Sequence, residues 1–130
     1  MINNPFYIAL SITGLFTIVF FYLSSQGLIQ SKEEAYLIGE ASRWCERVSD
    51  GWFREPVNTL SNFGFVIIGL IIFWIISNEN RSENNLFVGV TGITLIYASA
   101  AVYLGPGSML MHATNTEWGG WADNLSMVMY

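Results

Sequence analysis

The chain has 130 residues, 52% of them hydrophobic and only 12% charged, with a formal net charge of −5. Soluble domains carry about 25% charged residues, so the composition excludes an ordinary soluble domain. The acidic balance excludes a nucleic-acid binder, which needs clustered Lys and Arg for phosphates. Cys45 is the single cysteine, which excludes an intrachain disulfide and a CxxC zinc motif; it reads as a buried free thiol.

The first uncharged block is PFYIALSITGLFTIVFFYLSS, residues 5–25. A helix rises about 1.5 Å per residue, so ~20 apolar residues cross a hydrocarbon core of about 30 Å. No Lys or Arg precedes Lys32, and the run is longer than the roughly 7–15 residues of a signal peptide core. An uncleaved helix is therefore expected over residues 1–27.

Residues 28–55 are polar. SKEEAYLIGEASRWCERV reads as a helix lying along the membrane surface, with Ser31 as N-cap, Glu34 at the capping-box position and Trp44 at the interface. SDGW at 49–52 is a turn signal. Most of the basic residues (Lys32, Arg43, Arg47, Arg54) lie in this segment, and the positive-inside rule would place it on the cytoplasmic side.

Two further uncharged blocks follow, at 56–77 and 86–111, joined by the polar connector NENRSENN at 78–85. NTEWGGW at 115–121 reads as a tight interfacial turn because of its paired glycines and tryptophans. NLSMVMY then begins a fourth apolar segment. The expectation is an all-α integral membrane bundle: three complete spans plus the start of a fourth, a fragment of a longer multi-pass protein.

Polar residues interrupt this pattern in two places. Glu55, Asn58, Thr59 and Asn62 fall at i, i+3, i+4 and i+7, which shares one helix face. The opposite face would be Val57, Leu60, Phe63 and Val66. Ser, Thr and Asn often only bond neighbouring helices, but a carboxylate heading the stripe points to a functional polar interior.

The second place is GPGSMLMHAT followed by ADNLSMVMY. Ser108 and His112 are one helical turn apart, and Asp123 starts the next apolar segment. A lone histidine is more often a hydrogen-bonded core residue than a ligand; the nearby carboxylate shifts that balance toward function. A Ser–His nucleophilic pair is disfavoured, because GPGSML lacks the glycine after the serine that a nucleophile elbow needs. The other chemistry is a zinc site, with imidazole as a ligand and Asp123 handling protons. One histidine cannot hold a catalytic zinc, so further ligands would come from elsewhere.

WCE at 44–46, EPVNTLSN at 55–62, GPGSMLMHAT at 105–114 and ADNLSMVMY at 122–130 together resemble the alkaline ceramidase family. That family belongs to a wider group of seven-helix membrane hydrolases related to the adiponectin-receptor type. The match covers about residues 43–130; the first helix has no counterpart in it. The resemblance makes residues 56–130 the N-terminal part of a ceramidase-like bundle. It implies that His112 is one of three histidine ligands of a catalytic zinc. The other two sit as H-x-x-x-H on the family's last helix, beyond Tyr130. Ser108 would stabilise the oxyanion, and Asp123 would act as general acid/base on the zinc-activated water that hydrolyses a ceramide-like lipid amide. Trp44 (through its carbonyl), Glu46 and Glu55 match positions that bind a structural calcium.

Glu55 would also cap the second span, and Asn58 and Asn62 would bond the zinc-bearing helices. The sequence departs from the family at Arg43, which replaces an acidic calcium ligand, at the shorter Glu46–Glu55 interval, and at Asn124, where ceramidases have Glu. The family also places the WCE region on the lumenal or outer side, against the charge rule. The competing classes are a non-enzymatic helical membrane protein with a receptor-like or packing role, and an ion or proton conductor using Glu55 and Asp123.

Overall fold

The computed structural model describes residues 4–29, 46 and 48–130. The described elements are all helical: α1 (Pro5–Ser25), α2 (Pro56–Ser61), α3 (Phe63–Asn78), α4 (Gly92–Thr114) and α5 (Glu117–Met129). Three stretches are long and apolar enough to cross a membrane: Pro5–Ser25, Pro56–Asn78 and Gly92–Thr114. The surface helix expected over 31–48 lies outside the described residues apart from Glu46 and Val48.

Each helix begins where local chemistry satisfies its first N–H groups. Asn4 accepts from Phe6 N, and Pro5 occupies the first turn of α1. Gly27, at φ +65°, lies just past its end. Thr91 and Thr94 form a reciprocal capping box at the start of α4. Thr116 accepts from Gly119 N to start α5.

The second span takes its cap from a distance. Glu55 makes no side-chain cap bond. Instead Glu46 accepts from the Val57 and Asn58 backbone N–H groups, each at 2.8 Å. The capping role expected of Glu55 therefore belongs to Glu46, because the Glu55 side chain turns inward. α2 and α3 run on through Asn62, where bonding tightens to Phe65 N–Asn62 O at 3.1 Å.

Three boundaries differ from the sequence expectation. Residues 86–91 are not helical: Gly89 adopts φ +72°, and the Thr91 and Thr94 hydroxyls tie back to the Leu86 and Gly89 carbonyls. α4 also extends to Thr114, which brings His112 into its last turn. Residues 117–121 are helix rather than turn. Reversal is confined to Asn115, in the left-handed region at φ 50°, and Thr116; Gly119 instead serves helix contact.

α4 is the central element and packs against both α3 and α5. Its buried positions are mostly small: Ala98, Ala101, Gly105, Gly107 and Ala113. Small residues let helix backbones approach closely. A Cβ on Gly105 would lie 2.9 Å from the Asn62 carbonyl oxygen. On Gly107 it would lie 2.5 Å from Ser126 Cβ and 2.8 Å from the Ala122 carbonyl oxygen. On Gly119 it would lie 2.7 Å from Thr114 Oγ1.

Gly107→Ala should therefore lower stability by about 1–3 kcal/mol, the usual cost of overpacking, seen as a lower thermal midpoint in detergent. Gly14→Ala meets nothing within 4 Å and should leave the midpoint unchanged or raised.

Two apolar clusters hold the bundle at opposite ends. Ala9, Phe73, Ile76, Ala98 and Val102 join α1, α3 and α4 at one end. Phe20, Phe53, Met109 and Ala113 form the other. The second span buries Thr59, Asn62, Val66, Gly69, Phe73 and Ile76, a steady 3/4 alternation down one face. Val66 thus shares the buried face with the polar stripe, not the opposite face expected from its spacing to Phe63; Val57, at 68% exposure, does lie opposite.

Candidate functional site

The antiparallel run of the second span and α4 sets the start of one beside the end of the other. Arg54 N donates to the Ala113 carbonyl at 3.0 Å, and Glu55 N to the His112 carbonyl at 2.9 Å. These two bonds satisfy carbonyls of the last turn of α4 that have no intrahelical partner. They also fix Glu55 opposite His112.

Glu55 is fully buried, and its Oε2 lies 2.7 Å from His112 Nδ1. Asn58 Nδ2 donates to the same Oε2 at 2.9 Å. With Glu55 as a carboxylate, which only accepts, this contact puts a proton on His112 Nδ1. The imidazole is 21% exposed. A histidine whose Nδ1–H is held by a carboxylate has the orientation that metal-ligating histidines take.

The stripe that opens the second span is inward, with Glu55, Thr59 and Asn62 buried. Its bonds differ from expectation. Asn58 reaches Glu55, and so the imidazole indirectly. Asn62 Nδ2 donates to the Asn58 carbonyl at 2.8 Å, and Thr59 Oγ1 to the Glu55 carbonyl at 2.7 Å. Both stay on their own helix; α4 meets the Asn62 carbonyl with Gly105, which has no side chain to offer.

Ser108 and His112 lie on one face of α4, both half-buried. Ser108 sits roughly 9 Å along the axis from Thr114, at about 1.5 Å per residue. Gly107 packs against Ala122 and Ser126 of α5; among the described residues no hydrogen bond joins the Asp123 side chain to Ser108 or His112. Asp123 is half-buried, and Ser126 Oγ donates to its backbone carbonyl at 2.7 Å. By contrast, the hydroxyls of Thr13, Thr17, Ser24 and Thr114 each fold back on the carbonyl four residues earlier.

Glu46 and Glu55, two of the positions matched to a structural calcium, spend oxygens on protein donors: Glu46 on the first turn of α2, Glu55 on His112 and Asn58. These contacts give both carboxylates roles that need no cation. Trp44 lies outside the described residues. Asp50 is exposed and pairs with Arg54 Nη1 at 3.1 Å, a surface contact worth little energy that closes the 49–54 turn together with Ser49 N–Arg54 O at 2.7 Å. Among the described residues no group of three or more His, Cys, Asp or Glu converges; His112 and Glu55 form a pair.

The Glu55–His112 contact was not foreseen from sequence. The signal for it was present: a carboxylate one residue before one span and an imidazole in the last turn of the next must meet if the two spans form a hairpin. An apolar groove of about 730 Å³ lies between α1 and α4, lined by Ile8, Ile12, Phe16, Tyr103, Pro106 and Leu110 among others. It opens on the face of α4 opposite Ser108 and His112, at ~100° per residue, and so is separate from the polar site. Comparison with family models, with curated proteins and with solved structures found no match.

Proposed function

We propose that this chain is the N-terminal part of a multi-pass membrane metallohydrolase of the alkaline ceramidase type, which cleaves a ceramide-like lipid amide. The four ordered motifs support this reading. The observation that carries it is the buried Glu55 carboxylate on His112 Nδ1, at 2.7 Å. A carboxylate on Nδ1 is the arrangement that leaves Nε2 of a neutral imidazole for a zinc ion.

His112 would hold the zinc together with ligands supplied beyond Tyr130. When bound, zinc supplies Lewis-acid polarisation of the amide carbonyl and a nucleophile at neutral pH. Glu55 keeps the imidazole from rotating and retains the Nδ1 proton. Ser108 donates its hydroxyl to the carbonyl oxygen as charge develops there. Asp123, on the neighbouring α5, accepts a proton from the attacking nucleophile and returns it to the leaving amine. The exposed apolar sides of the three long helices keep the site in contact with lipid, where the substrate is dissolved.

The test is made on the complete protein in lipid, by metal analysis and by hydrolysis of ceramide-like amides. Asp123→Asn should keep its zinc while kcat falls roughly 10²–10⁴-fold, the range for loss of a general acid/base. Undiminished turnover in that variant overturns the assignment.

A further inference from the structure

The N-terminal helix, which the family motifs leave without a role, reaches the polar site through a stack of aromatic rings. Phe53 is 6% exposed and Phe20 3%. Their rings stack at 5.4 Å with an interplanar angle of 8°, and Phe21 meets Phe53 edge-on at 5.5 Å. Phe21 also lies 6.0 Å from Phe63 at the start of α3. The same cluster includes Met109 and Ala113 of α4.

Three consecutive residues therefore grip the last turn of α4. Phe53 does so by ring packing, Arg54 by its N–H on the Ala113 carbonyl, and Glu55 by its N–H on the His112 carbonyl. Glu55 also reaches the imidazole with its side chain, through the Oε2–Nδ1 bond. Its carboxylate can hold Nδ1 only while this short segment keeps its register. Two of the rings that fix that register, Phe20 and Phe21, belong to α1.

We infer that α1 is a clamp for the polar site, and that Phe53 and Phe20 are positioning residues that set the Glu55 carboxylate on His112. The consequence for catalysis rests on the hydrolase reading; the positioning itself does not. A purely structural role for these rings would change stability without changing the imidazole hydrogen bond.

The sequence makes the test direct, because His112 is the single histidine. ¹⁵N-histidine labelling of the 130-residue chain in phospholipid nanodiscs gives one imidazole spectrum. In the wild type, the spectrum should show a proton on Nδ1 that exchanges slowly with water. Phe53→Ala and Phe20→Ala should speed that exchange roughly two- to tenfold, the factor one aromatic pair contributes, with helix content retained. Phe65→Ala removes an outward ring, 45% exposed, and should leave exchange unchanged. If Phe53→Ala does not fold, Phe20→Leu keeps apolar bulk while removing the stack and gives the same reading.

Unchanged exchange in the folded variants overturns the clamp, as does equal acceleration by Phe65→Ala. Faster exchange in a protein whose complete form takes up no zinc upholds the clamp and overturns the hydrolase reading.

Discussion

Replacing His112 by alanine should leave the complete protein without bound zinc and without detectable lipid-amide hydrolysis, while the helical bundle survives. No other imidazole in this chain can take its place. Losing one protein ligand from a three-ligand zinc site removes the geometry that holds the metal. The folding cost is smaller. Glu55 loses one donor but keeps the Asn58 amide on the same oxygen, so roughly 1–3 kcal/mol is expected for the lost partner of a buried carboxylate. Zinc stoichiometry, turnover of a ceramide-like amide and far-UV circular dichroism separate these effects. Helix content near wild type with zinc and turnover gone is the expected result. Zinc retained at the wild-type level would reduce His112 to a packing residue and remove the support for the enzyme.

The architecture was legible because its cause is simple. Blocks without charge, each long enough to cross about 30 Å, have no stable alternative to helix in lipid, and the first two match their helices closely. The misses share a different cause, tertiary contact. Gly119 and Gly120 look like turn residues in isolation; the close approach of α5 to Thr114 and Leu110 makes glycine the residue that fits inside a helix there. Val66 appeared to lie opposite the polar stripe because the stripe was read over only two turns. The buried face runs on through Gly69, Phe73 and Ile76, and that longer run assigns Val66 to it.

The polar residues were legible as a group but not as a network. Their spacing places Glu55 on an inward face; only the hairpin of the second span with α4 places it on His112. The distal cap by Glu46 was invisible for the same reason. A carboxylate eleven residues upstream has no fixed relation to a helix start until the intervening turn is known.

Glu55 carries the second large prediction, and it discriminates between an orienting carboxylate and a mere buried polar group. Glu55→Ala removes the acceptor for both His112 Nδ1 and Asn58 Nδ2, each left in a mostly enclosed site. Partners of this kind, when lost, cost roughly 10–100-fold in metal affinity, and the unpaired donors should cost roughly 1–3 kcal/mol in stability. Glu55→Gln keeps the volume and offers a neutral acceptor, which bonds more weakly than a carboxylate; its zinc affinity should fall between wild type and Glu55→Ala. The decisive measurement is the thermal midpoint of the double variant. If Glu55 acts through the imidazole, Glu55→Ala should cost less in the His112→Ala background than in the wild type, because coupled residues are not additive. Part of the cost should persist, since Asn58 still loses its acceptor. Equal costs in both backgrounds, or undiminished zinc affinity in Glu55→Ala alone, would mean that Glu55 does not act through His112.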